Sequence, residues 1–198
     1  MTSTHFVWIA LLALLVFWAV GAYNRLMRLK NTIANAFGLL DVHLKRRYEL
    51  ILPLVEATQK YLSCDAAVLE VITLARSEAR SASDAVRSRP SNAKAVTRLG
   101  AAEAALSGGL GLLTQAEDCP DLRADETIKE LTEELTSTDH KMTFARQAYN
   151  DAVRDYNHAQ GEFPTVVLAR LFGFGLSALL QATPMAEERQ TFNTPPSH

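Results

Sequence analysis

The chain has 198 residues, of which 48% are hydrophobic and 21% charged, with a formal net charge of −2; that is enough for one hydrophobic core and a small appendage. Charge close to balance, with no basic run longer than Lys45-Arg46-Arg47, argues against nucleic acid as the main partner. Cys64 and Cys119 match no metal or redox spacing, so free buried thiols are expected rather than a disulfide.

From Phe6 to Tyr23 the chain runs 18 residues, "FVWIALLALLVFWAVGAY", without a charge. At about 1.5 Å per residue this is about 27 Å, close to the hydrocarbon thickness of a bilayer. Trp8, Trp18 and Tyr23 fit the interfacial preference of amphipathic aromatic rings. A cleaved secretory signal would begin with Lys or Arg, and "MTSTH" has neither. A retained span over 6–23 is therefore expected, preceded by a short exterior N-terminus, 1–5. Arg25, Arg28 and Lys30 follow at once and no Lys or Arg precedes, so the positive-inside rule puts the remainder of the chain in the cytoplasm.

Beyond the span, apolar residues recur by threes and fours: Leu26, Leu29, Ile33, Phe37, Leu40, Leu44, Tyr48, Ile51, Val55, Thr58 and Leu62. This is the period of one helical face, and it predicts a single helix from the membrane to about Tyr61, kinked at Pro53 rather than ended there. Its most charged stretch is "DVHLKRRYELI". Asp41 with Lys45 and Arg46 with Glu49 have the spacing to pair along the helix's own surface. Lys45 lies about 33 Å of straight helix beyond Tyr23, out of electrostatic reach of lipid at physiological salt. Asp41, Lys45, Arg46 and Arg47 are thus candidate contacts for a protein partner, with a self-paired surface as the plainer reading.

A second helix is expected after "SCD", capped by Ser63 or Asp65, with Val68, Ile72, Ala75, Ala79, Ala82 and Val86 on one stripe. "SRPSN" supplies a turn, and Ser91 or Asn92 caps a third helix weakened by Gly100, Gly108, Gly109 and Gly111 unless these admit a close neighbour. After the turn "CPDLRADET", Asp125 starts a fourth helix with the stripe Ile128, Leu131, Leu135, Thr138, Met142, Ala145, Tyr149, Val153, Tyr156. Two Tyr-Asn pairs, Tyr149-Asn150 and Tyr156-Asn157, repeat at seven residues, two helical turns. The tyrosines fall on the core stripe. Asn150 and Asn157 share its edge, placed to bond a neighbouring helix or water, or to meet a partner. "GEFP" breaks the helix, and 165–182 reads as a last helix on the bundle or an amphipathic segment for a membrane surface or partner groove. From 183 to 198 a disordered tail is expected.

Five scattered histidines form no ligand pair, and no GxSxG, GxxxxGK[ST] or GxGxxG is present. The sequence nominates no catalytic, cofactor-binding or metal-ligating residue, and an enzyme is not expected. His140 beside Asp139 reads as solvated surface.

"YNRLMRLKNTIANAFGLLDVHLKRRYELILPLVEATQKYL", "ARSEA", "AEAALSG", "CPDLRAD", "ARQAYNDAVRDYN" and "FPTVVLARLFGF", in that order behind an apolar anchor, resemble the LemA family of bacterial membrane-anchored helical proteins over about residues 20–180. Two departures are Phe37-Gly38, where the family typically has tryptophan and a polar residue, and His140, where it usually has asparagine. The resemblance implies an all-α chain: a short exterior N-terminus, one span, and an elongated antiparallel bundle of about four helices over 24–182. It implies no catalytic activity or cofactor. The combined expectation is a non-enzymatic scaffold or interaction protein of the bacterial cytoplasmic membrane, with an unknown protein partner and oligomeric state left open. The alternative is an accessory or regulatory subunit of a membrane enzyme such as a protease, docking through 165–182.

Overall fold

The computed structural model describes residues 2–59, 66–115 and 125–181. Helix α1 (Thr2–Gln59) is a single element of 58 residues, about 87 Å long. Its stripe is buried as the spacing requires: Leu26, Ile33, Phe37, Leu40, Leu44, Tyr48, Ile51 and Thr58 all face inward. Pro53 lies inside the helix without ending it. N-terminal to the stripe, the residues from Phe6 to Val20 carry their large apolar side chains outward, Phe6 72% and Phe17 79% exposed. This is the one helix among the described residues long and apolar enough to cross a membrane.

Helix α2 (Ala66–Ser88) returns antiparallel to α1, and α3 (Ala93–Gln115) runs back beside α2. The turn between them is set by Asn92, whose Oδ1 accepts from the backbone of Lys94 and Ala95 at 3.0 and 3.3 Å, occupying donors at the helix start. Ile72, Ala79, Ala82 and Val86 bury the expected face of α2. One glycine explains itself: a Cβ at Gly109 would meet Ile72 Cγ1 at 3.1 Å, so its absence lets α2 and α3 close together.

Helix α4 (Glu126–Gly161) is capped by Asp125, whose carboxylate accepts from Thr127 and Ile128. It runs antiparallel to α1 over the bundle's length: Arg46 meets Glu134 near one end, Phe37 packs edge-on against Tyr149 at 5.9 Å in the middle, and Arg25 meets Glu162 at the other. The α2–α3 hairpin covers only the half of this pair distant from the apolar stretch, Ser83 and Arg87 near the end of α2 reaching Asp41.

The half nearest the apolar stretch of α1 is covered by the C-terminal segment, and here the structure departs from expectation. Only Thr165–Leu171 is helical (α5). Gly173 then adopts φ +69°, a left-handed conformation that costs glycine little. Phe174 N donates to Ala169 O and Gly173 N to Arg170 O, the paired bonds that close a helix on such a glycine. Beyond it, 174–181 is not helical. Among the described residues the chain is helical with no strand, an elongated all-α bundle. Cys64, Cys119, Leu62, the caps Ser63 and Asp65, and the tail from 183 lie outside the described residues.

Candidate functional site

Two polar constellations stand out, and both resolve residues singled out in the sequence. The first is a charged seam on α1. Asp41 sits on the buried side, between Phe37 and Leu44, and is 5% exposed. It accepts from Ser83 Oγ at 3.0 Å and from Arg87 Nε and Nη2 at 2.9 and 2.8 Å. Lys45, one turn on, closes the pair at 3.1 Å. Burial alone would raise the Asp41 carboxyl, but the hydrogen bonds from Arg87, Lys45 and Ser83 outweigh it and hold the group below its ordinary value of 3.8.

Arg47, 3% exposed, reaches across to α3 and α4. It donates to Glu103 and to Ser107 Oγ at 2.9 Å, and pairs with Asp139 at 3.1 Å. The Tyr48 hydroxyl donates to the other Glu103 oxygen; burial, then the adjacent Glu103 charge, pushes this phenol far above its usual range. Arg76 donates to the Tyr48 carbonyl at 2.5 Å. Arg46 is half-exposed and pairs with Glu134 at 2.5 Å and Glu49 at 3.7 Å.

Of the four charges proposed for a partner on this helix, Asp41 and Arg47 therefore belong to the interior. Their phase says why, since Arg47 follows Leu44 by three residues and precedes Ile51 by four, the positions of the apolar stripe. Lys45 and Arg46 remain at the surface. Asp139, read as solvated, is partly covered and bound to Arg47, while His140 is exposed. Sequence reasoning missed Glu103. A lone carboxylate inside "GAAEAAL", three residues before a buried leucine, is the signal that could have found it.

Stability supplied by the Asp41 cluster has a definite pH sign. The folded carboxyl is held below 3.8, so its contribution is complete above that value and is lost as pH falls through the lower folded value. Asp41→Asn is expected to remove this component: the variant's midpoint for urea unfolding should vary less than wild type's between pH 5 and pH 3. An equal acid dependence would assign the loss to other carboxylates.

The second constellation answers what the Tyr-Asn repeat does. Asn157 donates Nδ2 to the Ser177 carbonyl at 2.9 Å and accepts from the Ser177 amide at 3.0 Å. Asn150 does the same to Leu180, at 3.0 and 2.9 Å. Each carboxamide thus pairs with one backbone residue as a neighbouring strand would. The spacings match: seven helical residues rise about 10.5 Å, and three residues of chain cover that only when almost fully extended. Gln160 adds a bond to Phe174 O at 2.6 Å and Tyr156 one to Gly175 O at 3.1 Å. Tyr149 donates to Pro90 O at 3.0 Å, and Ser177 Oγ to Ser91 O at 3.1 Å. The segment is therefore pinned to α4 and to the α2–α3 turn together. Burial raises both phenols, keeping them neutral donors. Asn150 and Asn157, for which a neighbouring helix, water or a partner was expected, bind this chain's own non-helical backbone.

Among the described residues no group of three or more His, Cys, Asp or Glu side chains is arranged to hold a metal ion. A cleft by Leu40, Leu44, Met142, Arg146 and Leu180 has room only for a water-sized molecule. The arrangement is suited to locking helices in register. The family model described as "LemA family" matches residues 36–194, which takes in both constellations. No curated protein matches the chain.

Proposed function

The chain belongs to the LemA family, and from that membership and the continuity of α1 we propose that it is a non-enzymatic scaffold anchored in the bacterial cytoplasmic membrane. The observation carrying this reading is the absence of a spacer. The large apolar side chains from Phe6 to Val20 are exposed, yet Ala22 and Leu26 are already in the bundle core, all on one helix. A bundle joined in this way stands at a fixed height and angle, reaching about 56 Å from Ala22 to Gln59. Exposed Arg25, Arg28 and Lys30 directly after the apolar stretch, with no cation of that kind before it, support a cytoplasmic bundle and an exterior N-terminus. Confinement beside the bilayer raises the effective concentration of whatever binds the rod.

The test is crosslinking in intact cells, gentle detergent extraction and mass spectrometry, comparing the wild type with a chain carrying a flexible Gly-Ser spacer between Gly21 and Ala22. Partners captured by the wild type and lost with the spacer are expected. Undiminished capture would show that attachment matters and position does not, which would defeat the proposal. Lys45→Glu with Arg46→Glu, both at the surface, then asks whether the exposed cations form the binding face.

A further inference from the structure

We propose that α5 and the turn after it form a second membrane contact, an apolar face that rests in the lipid interface beside the span. The inference assumes the anchored reading above and adds a lipid-binding site to it. The sequence offers two apolar segments, 6–23 and 165–182, without saying where they lie relative to each other. The structure brings them to the same end. Tyr23, the last residue of the apolar stretch, packs edge-on against Phe172 at 5.4 Å and Phe174 at 5.7 Å, and Arg25 Nη1 lies 3.4 Å from Glu162. Residues 162–174 are therefore level with the point where the span leaves the hydrocarbon.

At that level the chain turns large apolar groups outward. Thr165, Leu168 and Ala169 bury one face of α5, while Val167 and Leu171, spaced by four, form the opposite one at 59% and 76% exposed, and Phe163, just ahead of the helix, is 84% exposed. Phe172 and Leu176 extend the patch. Cations lie on the same elements: Arg170 on α5 and Arg28 on α1 are both exposed, with Arg25 neutralised in part by Glu162. An apolar face accompanied by arginine is the composition of segments that lie in the headgroup region of anionic membranes. Continuity with the span selects lipid over a soluble partner. A patch touching Tyr23 cannot be far from the bilayer that holds Tyr23, and its exposed phenylalanine and leucines would otherwise face water.

The full-length protein, with Cys64 and Cys119 changed to serine, is labelled with an environment-sensitive fluorophore at Val167→Cys, Leu14→Cys or Leu74→Cys, all exposed positions. Each is reconstituted into phosphatidylethanolamine and phosphatidylglycerol vesicles containing lipid with a nitroxide near the headgroup, and in parallel into vesicles with the nitroxide deep in the acyl chain, which reads position 14. Quenching at 167 several-fold stronger than at 74, with a blue-shifted emission, is the expected result. Quenching at 167 equal to that at 74, while 14 is quenched from within the bilayer, would overturn the lipid contact and leave the anchor intact. No quenching at 14 would instead refute the anchor itself, and the inference with it. If 167 is shielded in native membranes yet not quenched in pure lipid vesicles, the face belongs to a protein and the proposal fails.

Discussion

Replacing Arg47 by alanine is expected to cost the bundle about 3–5 kcal/mol, the usual range for stranding the partner of a buried ion pair. The Arg47 side chain is 4% exposed and that of Glu103 7%. With the guanidinium gone, Glu103 keeps only the Tyr48 hydroxyl, and Ser107 and Asp139 lose their shared donor. One side chain thereby loosens α1 from both α3 and α4. The control is its immediate neighbour. Arg46 makes a comparably short ion pair with Glu134 but stands half in solvent, where screening and side-chain entropy cancel most of the gain, so Arg46→Ala should be nearly neutral. Urea unfolding in mild detergent, followed by helical circular dichroism, compares the two. Equal effects would mean that the Arg47 network is as well solvated as the surface pairs. Arg47→Met with Glu103→Leu should recover part of the lost stability, because Glu103 is then no longer a buried charge without its partner, while Asp139 and Ser107 still lack the guanidinium.

The double change Asn150→Ala and Asn157→Ala should free the C-terminal segment while leaving the helices folded. Four hydrogen bonds hold Ser177 and Leu180 to those two carboxamides. At about 1 kcal/mol each, and about 1.4 kcal/mol per tenfold, their loss should speed amide exchange at Ser177 and Leu180 by up to about a thousandfold. Amides in the middle of α1 should keep their protection, since local openings are read separately from global unfolding. Unchanged exchange at 177 and 180 would show that the buried Leu180 and Ser177 side chains hold the segment without the asparagines.

Much of this architecture is legible in one sequence because helices advertise themselves locally. The α1 and α4 stripes, down to the polar step at Thr138, follow from spacing, and Asn92 and Asp125 follow from the chemistry of helix starts. The division of Lys45, Arg46 and Arg47 into surface and interior was also present, as phase along the Leu44-to-Ile51 stripe, though a run of three cations reads first as solvated. What the Tyr-Asn repeat binds is different in kind. It depends on two segments having commensurate lengths, seven residues of helix against three of extended chain, and no window of sequence contains both. The end of α5 turns on Gly173 taking a positive φ, where apolar periodicity would have carried the helix onward.

The clamped segment also orders events in time. A ribosome delivers α1 first and residues 174–181 after every helix of the bundle. Until then the asparagine edge of α4 has nothing to hold, the Tyr149 and Tyr156 rings lack their cover, and the α2–α3 turn lacks the support that reaches it through Ser177 and Ser91. Any chain cut short before Phe174 can pair α1 with α4 and still leave the half beside the apolar stretch one layer thin. The C-terminal segment thus joins the bundle only after α1 and α4 are both made, and a product truncated before Phe174 carries an uncovered face of that pair.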